Sequence, residues 1–255
     1  MIALLDLFLP ASLLALMLVL ALVFAVRAAG APSTVRATQA GSSVLLGRSA
    51  VDFFYWVLAP LVSVLARLGV TANQVTFVSL VLGVAAAVAA AAGLFGLSAF
   101  LAATSSLFDG LDGQLARATG KASDAGEVFD AAVDRVSEMA YLFGVAVYLR
   151  GELPALVVTL LALQASILVS YATAKAEALR VEPPRGAMRR AERAVYLGGG
   201  AALVPLVAQL SGHPLPSPLA LAPLYASLGL VAAVGNVSAA RRFWAIAKAV
   251  EGRGR

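Results

Sequence analysis

The sequence contains no cysteine and a single histidine, His213. The absence of cysteine excludes disulfide bonds, thiol nucleophiles and cysteine-ligated metals. The lone histidine lies between a glycine and a proline, which argues against a histidine-based zinc site and against a Ser-His-Asp triad. Acid–base or metal chemistry in this chain therefore depends on its carboxylates, of which there are 14.

Charge is also scarce, because 13% of the 255 residues are charged whereas 61% are hydrophobic. Soluble globular proteins have about 25% charged and about 45–50% apolar residues. The composition therefore predicts an integral membrane protein. In that setting the net charge of +5 favours contact with anionic lipid head groups, and we expect no nucleic-acid partner.

Seven apolar segments approach the length of about 17–25 residues that a membrane-spanning helix needs. The first is predicted to be a retained helix and not a cleaved signal peptide, because no basic segment precedes it and the acidic Asp6 lies directly before it. The predicted spans are residues 7–28, 73–94, 99–118, 128–149, 154–174, 194–210 and 218–239.

One further segment, residues 51–68, carries four consecutive aromatic residues, which are typical of the membrane interface. We predict a helix along the membrane surface, with a short eighth span as the alternative. The predicted fold is thus an all-α membrane protein, with a six-helix transmembrane bundle, an interfacial helix and one extra N-terminal helix. The predicted division is an extra helix at 1–30, a linker at 31–50, the functional domain at 51–245 and a basic tail at 246–255.

The distribution of lysine and arginine predicts the orientation. If the aspartate-rich end of the third span is inside, all but Arg150 of the 19 basic residues lie inside. Basic loops remain on the cytoplasmic side of membranes. We therefore expect a cell-membrane protein with its N-terminus outside and its C-terminus and aspartates on the cytoplasmic side.

Four aspartates occupy the ends of two consecutive predicted spans. Asp109 and Asp112 are three residues apart, and Asp130 and Asp134 are four apart, so each pair shares one face of a helix. The connection at 119–123 is short, which predicts that the two helices are antiparallel neighbours. The four carboxylates are therefore expected to converge at one depth.

Converging carboxylates repel one another, and hard divalent cations relieve that repulsion. We predict Mg²⁺ or Mn²⁺, as two ions that would assist an attack at phosphorus. Neighbouring glycines leave room for a substrate, and Arg117 is suited to pair with phosphate. The alternative, a solvated loop, explains Asp124 but not Asp109 or Asp112, which lie in an apolar run.

A second group of basic residues is predicted near the same end of the bundle. Several cations around one dianion are favourable, so this group predicts a site for a phosphorylated acceptor. Positive-inside anchoring is the alternative explanation. The candidate acceptor-binding residues are Lys121, Lys175, Arg190 and Arg193.

The spacing of the aspartates matches a longer pattern. The sequence D-G-x-x-A-R begins at Asp112, and G-x-x-x-D-x-x-x-D follows after eight residues with Gly126, Asp130 and Asp134. This pattern resembles the signature of the CDP-alcohol phosphotransferases, and Asp109 fits the additional D-x-x-D start. The resemblance covers roughly residues 51–239.

The resemblance implies transfer of a substituted phosphate from a CDP-linked lipid, such as CDP-diacylglycerol, to an alcohol, with release of CMP. It implies that the aspartates bind metal and that Asp134 is a ligand or the general base. It also implies a homodimer embedded in membrane lipids. The residues that it assigns to the CDP moiety are Gly113, Ala116, Arg117 and Gly126.

Two further segments narrow the resemblance. Residues 170–179 and the arginine-rich stretch 185–193 look like the phosphatidylinositol phosphate synthase branch, with Lys175 in place of its usual arginine. This favours inositol phosphate as acceptor; glycerol 3-phosphate, serine and other alcohols stay open. Residues 71–76 resemble the family's entry into a helix, and we predict a structural role for them, with Thr71 as helix cap.

Two different classes remain as alternatives at this point. A magnesium-dependent prenyl diphosphate transferase also uses aspartate-rich motifs, although its clusters are far apart in sequence. An ion-coupled carrier also places acids in the membrane, although carriers more often show broken helices and internal repeats.

Overall fold

A computed structural model describes residues 2–28, 48–182 and 186–252. Within these ranges the chain is helical, with eight α-helices and no strand. Most of the predicted linker at 31–50, and the last three residues of the predicted tail, lie outside the described residues.

The helices follow one another with short connections. A 3₁₀ turn at Leu149–Gly151 joins α5 to α6. The helices are α1 (Ile2–Ala28), α2 (Arg48–Arg67), α3 (Ala72–Ala91), α4 (Phe95–Ala118), α5 (Asp124–Tyr148), α6 (Leu153–Ala178), α7 (Arg190–Ser211) and α8 (Pro218–Glu251).

Five helices, α1, α3, α6, α7 and α8, have the length and apolar composition of membrane spans. The expected count of seven is not reached by this criterion. Helices α4 and α5 are long enough, at 24 and 25 residues, but they carry the clustered aspartates and other charged residues. Helix α2 is also outside the set, as expected of a helix on the membrane surface.

The last helix is longer than predicted. It was expected to end near residue 239, but α8 continues to Glu251 and contains the first half of the predicted tail. Residues 240–251 include neither glycine nor proline and are rich in alanine. Good helix formers therefore extend the helix beyond its apolar span.

Two groups of helices form the bundle. Helix α3 packs against α4 and α5, α8 packs against α6 and α7, and α4 joins the groups by packing against α7. The core between them contains the fully buried Phe95, Leu142, Leu221 and Leu224. Helix α1 lies on the outside of the bundle, against α4 and α7.

The short connection at 119–123 joins α4 to α5 as predicted, and their aspartates converge, but the two helices do not pack closely on each other. Helix α3 packs against both, whereas the described residues of α4 and α5 form no substantial interface with each other. Their connection turns at Gly120, whose φ of 68° suits glycine. The aspartate side chains therefore approach one another across an opening between the two helices.

The beginnings of α3 and α5 are both capped by hydroxyl side chains, and the cap of α3 was predicted. The Gln74 backbone N–H donates to Thr71 Oγ1 at 3.3 Å, and the Thr71 N–H donates to Gln74 Oε1 at 2.9 Å. This capping box confirms Thr71 as the helix cap. At the start of α5, the Gly126 N–H donates to Ser123 Oγ at 3.2 Å.

The close packing of α3 on α5 leads to a stability prediction. A Cβ atom at Gly144 would overlap the backbone carbonyl of Ala87, which cannot move without displacing α3. We expect Gly144→Ala to lower the free energy of unfolding by about 1–3 kcal/mol, the usual cost of overpacking, in thermal unfolding in detergent.

Gly198→Ala is the matched control, because a Cβ at Gly198 would meet no atom within 4 Å. It should leave stability unchanged or raise it by up to about 1 kcal/mol through helix propensity. Equal effects of the two substitutions would contradict the close approach of α3 and α5.

Candidate active site

The four aspartates of the two clusters come together at the opening between α4 and α5. One carboxylate oxygen from each of Asp109, Asp112 and Asp130 lies within 4.8 Å of the others. Asp134 is linked to Asp109 through a shared arginine, Arg190. The structure thus brings together all four aspartates from the two ends of the sequence pattern.

Two oxygens of this cluster lack a hydrogen-bond donor. Asp109 Oδ1 and Asp130 Oδ1 are buried, and no donor among the described residues reaches either atom. Buried carboxylate oxygens need a hydrogen bond, an opposite charge or a metal ion. Because hard oxygen ligands suit divalent cations such as Mg²⁺ and Mn²⁺, the cluster fits a divalent metal ion.

Arg190, the first residue of α7, supplies a positive charge inside the aspartate cluster. Its Nη1 donates to Asp109 Oδ2 at 2.7 Å, and its Nη2 lies 2.5 Å from Asp134 Oδ1. One guanidinium therefore bridges α4 and α5. The sequence predicted Arg190 as a ligand for acceptor phosphate, whereas the structure pairs it with two carboxylates.

Asp112 is the most buried of the four aspartates, with 3% of its surface exposed. Thr76 Oγ1 on α3 donates a hydrogen bond of 2.5 Å to Asp112 Oδ2. The sequence predicted a structural role for residues 71–76, and it did not predict the contact of Thr76 with the aspartate cluster. Asn73, Gln74 and Ser79 are also polar residues of α3, so the sequence alone does not single out Thr76.

Arg193 forms the most buried ion pair of the site. Its side chain is fully buried, and its Nε and Nη2 donate to the two carboxylate oxygens of Glu138 at 2.6 and 2.7 Å. Nη1 donates to the Met188 carbonyl at 2.7 Å. Sequence reasoning predicted Arg193 as a phosphate ligand and missed Glu138, although Glu138 follows Asp134 by four residues on the same helix face.

The residues that the resemblance assigns to the CDP moiety lie around the ends of α4 and α5. Arg117 is exposed, and its Nη2 donates to the hydroxyl of Tyr55 on α2 at 3.2 Å. Gly113 lies beside the same guanidinium, since a Cβ there would be 3.4 Å from Arg117 Nη1. Ala116 is half-buried on α4, and Gly126 is in the first turn of α5.

A cavity of about 240 Å³ opens next to the aspartates. Arg190 belongs to both, so the cavity and the carboxylate cluster share a wall. Val169, Ser170 and Thr173 on α6 complete it. Its basic residues are Arg135, Arg189, Arg190, Arg193 and Arg242.

The cavity includes some predicted acceptor residues and not others. Lys121 and Lys175 are exposed and are not among its lining residues. Arg242, which the sequence placed only among the cytoplasmic basic residues, lines the cavity and donates to Thr173 Oγ1 at 3.3 Å. Helix α8 delivers Arg242 because it extends beyond its predicted end.

A second, apolar cavity of about 710 Å³ is lined in part by residues next to the aspartates in sequence. Its walls include Val70, Phe77, Phe108 and Phe129 from α2–α3, α3, α4 and α5. Phe108 precedes Asp109, and Phe129 precedes Asp130. The two helices that carry the aspartates therefore also contribute apolar residues to this cavity.

The profile of the family described as CDP-alcohol phosphatidyltransferase matches residues 69–243, more than half of the chain. The matched region includes the four aspartates and every cavity arginine, and it begins after α1 and α2.

Curated proteins that are similar to this chain include phosphatidylinositol phosphate synthases and archaetidylinositol phosphate synthases. A phosphatidylinositol phosphate synthase of Mycobacteroides abscessus is 35% identical over 161 residues, which are 59% of this chain and 70% of that protein. An archaetidylinositol phosphate synthase of Pyrococcus horikoshii is 39% identical over 113 residues, 44% of this chain and 58% of that protein.

Solved structures that resemble this chain include a phosphatidylinositol phosphate synthase. The phosphatidylinositol phosphate synthase of Mycobacterium tuberculosis, crystallised with CDP-DAG bound, superposes with a TM-score of 0.65 at 28% identity. The alignment covers 74% of this chain and 93% of that one. A second crystal structure of the same enzyme contains manganese and citrate, and it also has a TM-score of 0.65.

The Arg193–Glu138 pair generates the prediction for this site. Removing one partner of a buried ion pair leaves the other charge uncompensated. We expect Arg193→Ala to reduce the free energy of unfolding by about 3 kcal/mol, seen as a lower midpoint in thermal unfolding.

The double variant Arg193→Met with Glu138→Leu is the matched control, because it removes both charges and keeps the volume. It should be more stable than Arg193→Ala, since an apolar pair replaces an ion pair at little cost. If Arg193→Ala unfolded like the native protein, the pair would not hold α5 to α7.

Proposed function

Because the chain belongs to the CDP-alcohol phosphatidyltransferase family, we propose that it transfers the phosphatidyl group of CDP-diacylglycerol to a hydroxyl of an inositol phosphate and releases CMP. The observation that carries this proposal is the shared wall between the carboxylate cluster and the five-arginine cavity. Membership of the family removes the prenyl diphosphate transferase and the ion-coupled carrier from consideration.

The donor lipid is proposed to lie across the carboxylate cluster. Gly113, Ala116, Arg117 and Gly126 would contact the CDP moiety, and the apolar cavity beside Phe108 would take the acyl chains. Asp109, Asp112, Asp130 and Asp134 would hold two Mg²⁺ or Mn²⁺ ions. When bound, such ions neutralise the diphosphate and polarise its phosphorus–oxygen bonds.

Asp134 is the proposed general base. Its carboxylate accepts the proton of the acceptor hydroxyl as the hydroxyl oxygen forms a bond to the phosphorus of the phosphatidyl group. The bond from that phosphorus to the bridging oxygen breaks, and CMP departs with that oxygen. Arg190 fixes the orientation of Asp134, because its Nη2 lies 2.5 Å from Asp134 Oδ1.

The acceptor phosphate is proposed to bind in the basic cavity. Arg135, Arg189 and Arg242 would surround the dianion, and charge-assisted hydrogen bonds make this arrangement strong. Arg190 and Arg193 add positive charge to the same wall, but carboxylates hold their guanidinium groups at 2.5–2.7 Å, whereas Arg135 Nη1 lies 3.9 Å from Asp134 Oδ2. Lys121 and Lys175 are left out of the proposed site because they do not line the cavity.

The membrane arrangement completes the proposal. The N-terminus would lie outside and the site would open to the cytoplasm, since nearly all basic residues fall on that side. A homodimer is proposed from the family resemblance. The functional domain would span residues 51–245, with α1 as an additional helix and the basic residues after 245 at its cytoplasmic end.

The experiment is CMP release by the purified protein in lipid nanodiscs. CDP-diacylglycerol and Mg²⁺ are supplied with inositol 1-phosphate, glycerol 3-phosphate, serine, inositol or no acceptor. We expect release to depend on inositol 1-phosphate. Release with unphosphorylated inositol at equal efficiency would contradict a phosphate role for the basic cavity. Release with glycerol 3-phosphate alone would identify glycerol 3-phosphate as the acceptor in place of inositol phosphate.

Removing the proposed base separates chemistry from binding. Asp134→Asn keeps the shape of the side chain but cannot take a proton, so we expect kcat to fall by at least about 10²-fold, the usual contribution of general-base catalysis. CDP-diacylglycerol binding should persist. Asp124→Asn, on an exposed position of the same helix, is the control and should retain activity. Equal loss of binding in Asp134→Asn and Asp109→Asn would contradict the base assignment.

Arg242 gives the sharpest test of the acceptor site. Arg242→Ala removes one cation from the cavity, so we expect the KM for inositol 1-phosphate to rise about tenfold or more, as for loss of a charge-assisted hydrogen bond, with little change in the KM for CDP-diacylglycerol. The neighbouring Arg241 is exposed and absent from the cavity lining, so Arg241→Ala is the control. The reverse order of KM changes would contradict this acceptor site.

A further inference from the structure

We propose that α1 is a strap that holds α2 over the nucleotide site, and that Tyr55 is the positioning residue through which α2 orients Arg117. Helix α1 and Tyr55 both precede residues 69–243, the part of the chain that the family profile matches. The inference rests on the proposed contact of Arg117 with the CDP moiety and goes beyond it by giving α1 a function.

One end of α1 is fixed to α4 by a buried carboxylate. Asp6 is only 7% exposed, and its Oδ1 accepts a hydrogen bond of 2.8 Å from the Leu97 backbone N–H in the first turn of α4. A Cβ at Gly96 would overlap the Asp6 carbonyl, so the two backbones touch. An acid in a membrane helix is costly unless it is satisfied, and here the beginning of a helix satisfies it.

The other end of α1 holds α2 through aromatic contacts. The ring of Phe24 lies 5.7 Å, centroid to centroid, from Phe53 and from Trp56. The Arg27 guanidinium carbon lies 5.8 Å from the centroid of the Trp56 ring. These distances are typical of edge-to-face and cation–π interactions. Helix α1 is therefore fastened at both ends, to α4 at one and to α2 at the other.

Tyr55 lies between the two α2 residues that contact α1. Its hydroxyl accepts a hydrogen bond from Arg117 Nη2 at 3.2 Å. The same helix packs against α4 through Leu58 and Val62, which join Leu111 and Leu115 in an apolar cluster. Helix α2 thus contacts α1 through Phe53 and Trp56, and it contacts Arg117 of the proposed nucleotide site through Tyr55.

The connection has an energetic consequence. An exposed arginine side chain loses up to about 2 kcal/mol of rotamer entropy when a ligand immobilises it. A hydroxyl that already restrains the guanidinium lowers this cost, so the ligand binds more tightly. Tyr55 would therefore raise the affinity for the CDP-linked donor and would not change the affinity for the acceptor.

The first test removes one oxygen atom. Tyr55→Phe keeps the ring in place, and we expect the Kd for CDP-diacylglycerol, measured in nanodiscs without acceptor, to rise about fivefold, the size of a modest hydrogen bond. Tyr225→Phe is the matched control, because it removes a 2.8 Å hydrogen bond to Glu152 far from the site. It should leave this Kd unchanged.

A second substitution checks the route through Arg117. In an Arg117→Ala background, Tyr55→Phe should cause no further rise in Kd, because the residue that it positions is gone. An unchanged Kd for Tyr55→Phe alone, or an undiminished effect in the Arg117→Ala background, would overturn the assignment. Because these Kd values need no turnover, a native protein that binds donor but releases no CMP contradicts the proposed reaction and leaves this comparison valid.

The strap itself is tested on α1. Phe24→Ala removes both ring contacts with α2, and we expect it to raise the same Kd. Leu18→Ala, at a 61% exposed position of α1, is the control. If α1 acts through Tyr55, the effects of Phe24→Ala and Tyr55→Phe will not add in the double variant. Additive effects, or equal effects of Phe24→Ala and Leu18→Ala, would contradict the strap.

Discussion

The structure depends on neutralising four carboxylates that lie in helices of a membrane protein. Asp109, Asp112, Asp130 and Asp134 converge from two helices that do not pack on each other. Unpaired charge in a medium of low polarity is costly. Arg190 meets part of this demand by bridging α4 and α5, and the donorless oxygens leave the remainder to a divalent cation.

A surrounding set of contacts holds the two groups of helices in register with the cluster. Thr76 brings α3 to Asp112, and the Arg193–Glu138 pair ties α7 to α5 just beyond Asp134. The N-terminal end of α7 therefore contributes two arginines, three residues apart, that pair with three carboxylates: Arg190 with Asp109 and Asp134, and Arg193 with Glu138. These ion pairs connect the beginning of α7 to both α4 and α5.

Local patterns in the sequence predicted that the four aspartates come together. Helix periodicity determines which side chains share a face, and a short connection keeps the ends of the two helices close. They also predicted the helix cap at Thr71 and an all-helical membrane protein. They did not predict Glu138, Tyr55 or Arg242 as parts of the site, since their partners are 55, 62 and 69 residues away in sequence. The separation of α4 from α5 was not predicted for the same reason. A short connection limits the distance between the two helices only at the ends that it joins, whereas their packing along α3 sets the distance elsewhere.

The arginines show why charge alone does not predict function. All five in the basic cavity suit positive-inside anchoring and phosphate binding equally well in sequence. In the structure, their partners separate them: Arg193 pairs with Glu138, and Arg190 is shared by two aspartates. Arg242 reaches the same cavity from the extended end of α8, and within the described residues its guanidinium donates to hydroxyl and carbonyl oxygens, those of Thr173, Gly186, Ala187 and Ser238. A cation whose charge no carboxylate neutralises is the one best suited to bind a phosphate, and this distinction comes from tertiary structure.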